Sequence, residues 1–257
     1  MRWRQWVWCA AIAGALIGAA VAFAGDGGFK PAIAAEPRLE VPETNFDFGY
    51  APQDATISHV YWLRNVGTDT LRITDVRPGC GCTKAPLKKK ELGPGDSTDV
   101  EVIFSTGHYS SHVQKTASII SNAPGQAPPL TFTAHPVSDP DSIGMFSIMP
   151  PQLDLDTTRP DSQKKPWEYE VAVKNKSSGP FALKVVSAPD RFIKVDVPKG
   201  EIEPGNDEAI RIKIASEAAD TLFTKSFTIE ASDAAKTRYT FPIKKSMRWG
   251  PTPVSGH

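Results

Sequence analysis

The stretch Ile57-Ser58-His59-Val60-Tyr61-Trp62-Leu63-Arg64-Asn65-Val66-Gly67 alternates side chains with a period of two and closes on Asn-x-Gly. Ile57, Tyr61 and Leu63 share one face, with His59 in the same phase, and such alternation is the signature of a half-buried β-strand. Asn65 and Gly67 then supply turn chemistry. The same period returns at Phe46 and Phe48 around Asp47, at Leu71, Ile73 and Val76, and at Val100, Val102 and Phe104 after Pro94-Gly95. It returns again over Lys115 to Ile120 and Leu130 to Ala134. Short alternating runs about ten residues apart, with turn signals between them, predict a β-sandwich. Apart from the N-terminal stretch, no long segment carries a helical period.

Shifted by 110 positions, the chain overlays on itself. Tyr61 and Leu63 fall on Val171 and Val173, Asn65 on Asn175, Leu71 on Phe181 and Val76 on Val186. Pro94-Gly95 falls on Pro204-Gly205, and Val100, Val102 and Phe104 fall on Ile210, Ile212 and Ile214. Lys115 and Ile119 fall on Lys225 and Ile229, while Phe46 and Phe48 match Leu153 and Leu155 at a slightly smaller shift. Two copies of one unit follow. The expected fold is all-β: two tandem immunoglobulin-like β-sandwiches after an N-terminal signal or anchor helix.

Lys plus Arg (29) balances Asp plus Glu (29) over 257 residues, which argues against a broad electrostatic nucleic-acid binder. A hydrophobic share of 40% is enough for packed cores. Twenty-three prolines, about twice the average share, punctuate loops rather than helices. Three cysteines are too few for a disulfide-dense scaffold.

Arg2 and Arg4 precede an uncharged, Ala-rich run from Trp6 to Ala24, and Ala22-Phe23-Ala24 and Ala32-Ile33-Ala34 offer small-x-small cleavage sites. That is the anatomy of a secretory signal peptide. The run also approaches the ~20 residues that span a bilayer, so membrane anchoring through residues 6–24 is the competing expectation. Either way the remainder is exported, to the periplasm or the cell surface. The expected organisation is a signal peptide or anchor over 1–24, a linker over 25–38 and a sandwich over 39–137. A linker over 138–148, a second sandwich over 149–246 and a disordered tail over 247–257 follow.

The repeat also acts as an internal control. Asn65 and Asn175 recur, so a local backbone-bonding role is expected, even though Asn175-Lys176-Ser177 fits a glycosylation sequon. Cys80-Gly81-Cys82-Thr83 does not recur; its counterpart is Asp190, Arg191 and Phe192. Three chemistries are open to it. One is a Cys80–Cys82 disulfide, which the intervening Gly81 permits and which closes too small a loop to add much stability. A second is metal binding, with Cys80 and Cys82 joined by weak candidates His59, His108 and His112, the last two in a His-x3-His spacing. The third is two free thiols. Lys84 and Lys88-Lys89-Lys90 make a small basic run nearby, expected to be solvated, and Trp62 and Trp167 are expected to pack. No GxSxG, HExxH, Walker or GxGxxG pattern is present, so no catalytic residue and no cofactor is expected.

Phe46-Asp47-Phe48-Gly49, Asn65-Val66-Gly67, Cys80-Gly81-Cys82-Thr83, Pro94-Gly95, Val100 to Phe104 and Lys115 to Ser121 together resemble a bacterial family, domain of unknown function 1573. The resemblance covers about residues 40 to 135. Gly79 stands where that pattern has Ser, and Ser105 where it often has Asp. The family is similar to the immunoglobulin-like domains of the major sperm protein, ASH and hydin group. The resemblance implies an exported, non-enzymatic sandwich. The expected function is a binding or structural module of the cell envelope, whose partner is another envelope protein or a peptide and not nucleic acid. The rival expectation is a thiol-redox or metal-handling protein acting through Cys80 and Cys82.

Overall fold

Alternation along each segment sets which side chains point inward, and strand pairing then follows the repeat. The computed structural model describes residues 35–156, 167–189, 191–215 and 222–246. In the first sandwich, one sheet runs in the order β1 (Leu39–Glu40), β3 (Thr56–Asn65), β7 (Ser97–Ser105), β5 (Thr83–Lys84). The facing layer runs β2 (Asn45–Pro52), β9 (Leu130–Val137), β8 (Val113–Ser121), β4 (Leu71–Pro78), β6 (Glu91–Leu92). In the second sandwich, one sheet runs β10 (Phe146–Met149), β12 (Trp167–Asn175), β15 (Asp207–Ile214), β14 (Ile193–Asp196). Its facing layer holds β11 (Leu153–Asp156), β17 (Arg238–Ser246), β16 (Phe223–Ala231) and β13 (Leu183–Ser187). Two tandem immunoglobulin-like sandwiches are what the alternation predicted.

The 110-residue offset survives as register. Tyr61 pairs with Val100 and Leu63 with Thr98; Val171 pairs with Ile210 and Val173 with Glu208. Thr83 pairs with Phe104, and Ile193 with Ile214. The opening strands match too: β2 lies parallel to β9 as β11 lies parallel to β17. Each sandwich buries its own core. Phe48, Tyr61, Leu63, Phe104 and Phe132 anchor the first. Phe146, Val171, Phe181, Phe227 and Ile243 anchor the second. Full burial of one such side chain contributes about 1.5–3 kcal/mol, so these two clusters dominate the favourable side of folding.

Asn65 and Asn175 are buried and do the same work twice. The Asn65 amide donates to the carbonyls of Asp69 and Leu92 (2.7 and 2.9 Å) and its oxygen accepts from the Gly67 amide at 3.0 Å. The Asn175 amide donates to Gly179 and Ile202 (2.9 and 2.7 Å) and its oxygen accepts from Ser177 at 2.8 Å. Each therefore clamps a turn to a neighbouring strand, the local role the repeat predicted, and the sequon asparagine is sealed inside the fold.

The two facing layers are one sheet. β17 of the second sandwich pairs in parallel with β2 of the first at Tyr239 and Tyr50, which joins the layers into nine strands. The Thr240 hydroxyl donates to the Phe48 carbonyl at 2.6 Å, and Arg238 donates to the Asp47 carbonyl at 3.1 Å. Gly49, at φ +63°, lets Arg238 come against the backbone; a Cβ there would collide with it.

Several details differ from the sequence reading. β10 begins at Phe146, inside the segment expected to be a linker, because Phe146 and Ile148 are buried and pair with β12. Residues 36–38 are tied to the first sandwich by Val66 N to Arg38 O (2.9 Å) and Thr68 N to Glu36 O (2.8 Å). Trp62 is 50% exposed on the outer face of β3. The expected signal or anchor over 1–24 and the tail over 247–257 lie outside the described residues. Among the described residues, no helix is long and apolar enough to cross a membrane.

Candidate functional site

Strand β4 ends at Pro78, and the chain turns through Gly79 to Cys82 before entering β5 at Thr83. The Gly79 amide donates to Thr116 O at 2.9 Å, and the Ser105 amide donates to Cys82 O at 2.9 Å, so the turn is pinned to β8 and β7. Within it Cys80 and Cys82 are joined by a disulfide, with their Cα atoms 5.3 Å apart. Both cysteines are half-buried, while Gly81 at the tip is exposed. Thr83 is buried beneath the bridge, its hydroxyl 3.4 Å from Cys80 Sγ and 3.8 Å from Cys82 Sγ. On the Cys82 side stands Tyr109, from the loop between β7 and β8. Its hydroxyl lies 4.0 Å from the sulfur. Lys115, at the start of β8, donates to the Tyr109 oxygen at 3.2 Å and lies 4.6 Å from the ring centroid.

The metal candidates do not assemble. Cys80 and Cys82 are bonded to each other and offer no thiolate. His108 is exposed and meets Asp54 at 3.3 Å, and His112 is exposed on the same loop. His59 is committed elsewhere, to the join between the sandwiches. Among the described residues, no group of three or more His, Cys, Asp or Glu side chains is placed to hold a metal ion. The His-x3-His spacing suggested His108 and His112, and both stand exposed on their loop.

The join is a second polar cluster, and nothing in the sequence pattern pointed to it. His59 is only 8% exposed and stacks on Phe46 with ring centroids 3.6 Å apart. Its Nε2 is 3.0 Å from the Glu43 carboxylate and its Nδ1 is 2.9 Å from the Ser187 hydroxyl, which belongs to the second sandwich. A carboxylate only accepts, so Nε2–H donates to Glu43 and Nδ1 receives the serine proton. Burial pushes the His59 pKa down, against the raising influence of Glu43. A Ser-His-Glu relay has the parts of a nucleophile, a base and an orienting group. Here, however, the hydroxyl end is buried at Ser187 and the carboxylate end is open, the reverse of what a substrate would require. The relay works as a tie. Beside it Ser226 Oγ accepts from Ser58 N (2.8 Å) and donates to Ser58 O (3.0 Å), and Lys225 Nζ reaches both oxygens of Glu101 at 2.7 and 2.8 Å.

With the first sandwich and its disulfide turn in place, the comparison with known families is specific. Residues 39–135 match the DUF1573 family. That family is described as a protein of unknown function, and the match spans the first sandwich alone. The DUF1573 segment thus carries the bridge, while the second sandwich repeats its pairing without it. No curated protein sequence matches the chain. Among solved structures, a protein of unknown function from Porphyromonas gingivalis W83 is 12% identical, with 81% of this chain and 99% of that chain covered and a TM-score of 0.36. The Escherichia coli chaperone DraB is 7% identical, with 80% and 97% covered and a TM-score of 0.31. The Vibrio cholerae VesB protease is 18% identical, with 39% and 32% covered and a TM-score of 0.32. Likeness at this level is silent on activity.

Proposed function

We propose that the chain is an exported, non-enzymatic binding module of the cell envelope, with another envelope protein or a peptide as its partner. One observation carries this reading. The polar side chains brought together across the two sandwiches are spent on joining them, through His59 to Ser187, Ser226 to the Ser58 backbone and Glu101 to Lys225. A body joined in this way presents sheet edges and end loops in a fixed relation, which is what recognition of an extended segment uses. The signal-like N terminus and the Cys80–Cys82 bridge support export, since such bridges persist in oxidising compartments.

Osmotic-shock fractionation of cells producing the full chain tests the reading. The chain is expected in the periplasmic or membrane fraction with the bridge closed, as read by blocking free thiols before lysis. Recovery in the cytoplasm with two reactive thiols would overturn it.

A further inference from the structure

The Cys80–Cys82 bridge is electrically lopsided. Cys82 Sγ faces a tyrosine hydroxyl, and the ammonium of Lys115 donates to that same oxygen. A cation donating to the Tyr109 oxygen makes its O–H a stronger donor. At 4.0 Å the hydroxyl stands at the outer edge of hydrogen-bond reach of Cys82 Sγ. The hydrogen-bond contact of Cys80 Sγ is the neutral hydroxyl of Thr83, which Cys82 shares. The cysteines do not recur in the second sandwich, while the lysine recurs with a different partner. Lys225 holds the matching position in the second sandwich, where it pairs with Glu101, and Phe192 stands where the first sandwich has Cys82.

We propose that the bridge is a thiol–disulfide exchange site for small thiols, in which Cys80 is the sulfur attacked and Cys82 the sulfur released. An incoming thiolate attacks Cys80 Sγ and forms a mixed disulfide with it. The Cys80–Cys82 bond breaks, and its electron pair stays on Cys82 as a thiolate facing the Tyr109 hydroxyl, with Lys115 behind. A second thiolate attacks the incoming sulfur, releasing the oxidised thiol pair and a Cys80 thiolate that takes a proton. Two thiols are thereby oxidised to one disulfide while the bridge is reduced to two cysteines. A leaving thiol that is stabilised as thiolate departs faster, and a neighbouring lysine lowers a thiol's pKa. The site goes beyond the binding-module reading and does not depend on it.

The test uses the oxidised full chain and glutathione near neutral pH, quenched with N-ethylmaleimide and mapped by peptide mass spectrometry. Glutathione is expected on Cys80 and maleimide on Cys82, with the reverse pattern about tenfold rarer. Adducts divided equally, reversed, or absent would overturn the assignment. A second arm compares Tyr109→Phe and Lys115→Gln, each checked for native circular dichroism. Both are expected to open about threefold more slowly. In the reduced variants the pH midpoint for alkylating Cys82 should rise while that of Cys80 stays. Unchanged rates and midpoints in folded variants would contradict the roles of Tyr109 and Lys115. Neither arm needs a partner or a location, so its failure is separate from failure of the binding-module reading.

Discussion

Lys225 and Glu101 meet across the join of the two sandwiches, the ammonium within 2.8 Å of both carboxylate oxygens and the two side chains only 18% and 14% exposed. Removing one partner leaves the other charge poorly solvated, a situation that costs more than the pair itself contributes. Glu101→Gln is expected to lower stability by about 2 kcal/mol, below the usual cost for a fully buried pair because water still reaches the site. Chemical denaturation should show that drop, and the double change Glu101→Gln with Lys225→Met should recover part of it. A double variant weaker than the sum of the single variants would contradict the pairing.

Asn65→Ala strips hydrogen bonds from buried turn carbonyls and is expected to cost about 2–4 kcal/mol, since each buried group left unpaired costs about 1–3 kcal/mol. Asn175→Ala should cost a similar amount through the second sandwich. Hydrogen exchange would locate each effect: faster exchange at Gly95 and Leu92 in the first variant, and at Gly205 and Ile202 in the second. Loss of protection at the same amides in both variants would contradict two separate clamps.

Acid acts in two windows. The folded state holds His59 below its ordinary value because burial disfavours the imidazolium. The unfolded chain therefore binds the proton first, and the contribution of neutral His59 is complete above about pH 6.5 and declines as pH falls below it. The groups facing the ring are Glu43, which opposes the shift, and Arg238, which adds to it. Glu230 acts in the same direction over a lower window. Its bonds to Lys184 and Arg238 hold its carboxyl below the ordinary glutamate value, so its contribution persists to about pH 4.5 and is lost below that. Urea midpoints measured from pH 8 to pH 3 should fall in two steps, and His59→Gln should remove the upper one. Persistence of the upper step in that variant would exclude His59 as its source.

Gly49→Ala is expected to destabilise by about 1–3 kcal/mol, because the residue sits at positive φ and a Cβ would press on Arg238. Gly81→Ala meets nothing within 4 Å and should be nearly neutral. A thermal melt of each variant checks the contrast; equal effects would contradict the close approach at β2 and β17.

The fold was legible because alternation and the 110-residue offset are properties of the chain alone. Tyr61 and Val171 carry the same phase, and their partners Val100 and Ile210 carry the same spacing. The join was not legible. Ser58, His59, Glu101, Ser187 and Lys225 are ordinary strand residues in sequence, and only the packing of β16 and the end of β13 against β3 and β7 makes them neighbours. His59 shared the inward phase of Tyr61, which predicted burial but not a partner from the other copy. The cysteine pair was visible, since it broke the repeat, but Tyr109 and Lys115 were not. Their approach to Cys82 depends on how the loop between β7 and β8 folds back, and no local periodicity encodes that.

The shared nine-stranded sheet and the ties at Ser187, Ser226 and Lys225 make the two sandwiches one body, and the proposed binding role rests on that body. Nuclear magnetic relaxation of backbone amides measures it most directly, on residues of β3 and β7 against residues of β12 and β15. One rotational correlation time common to both sandwiches is expected. Two shorter and different times, each suited to a single sandwich tumbling on its own, would contradict it.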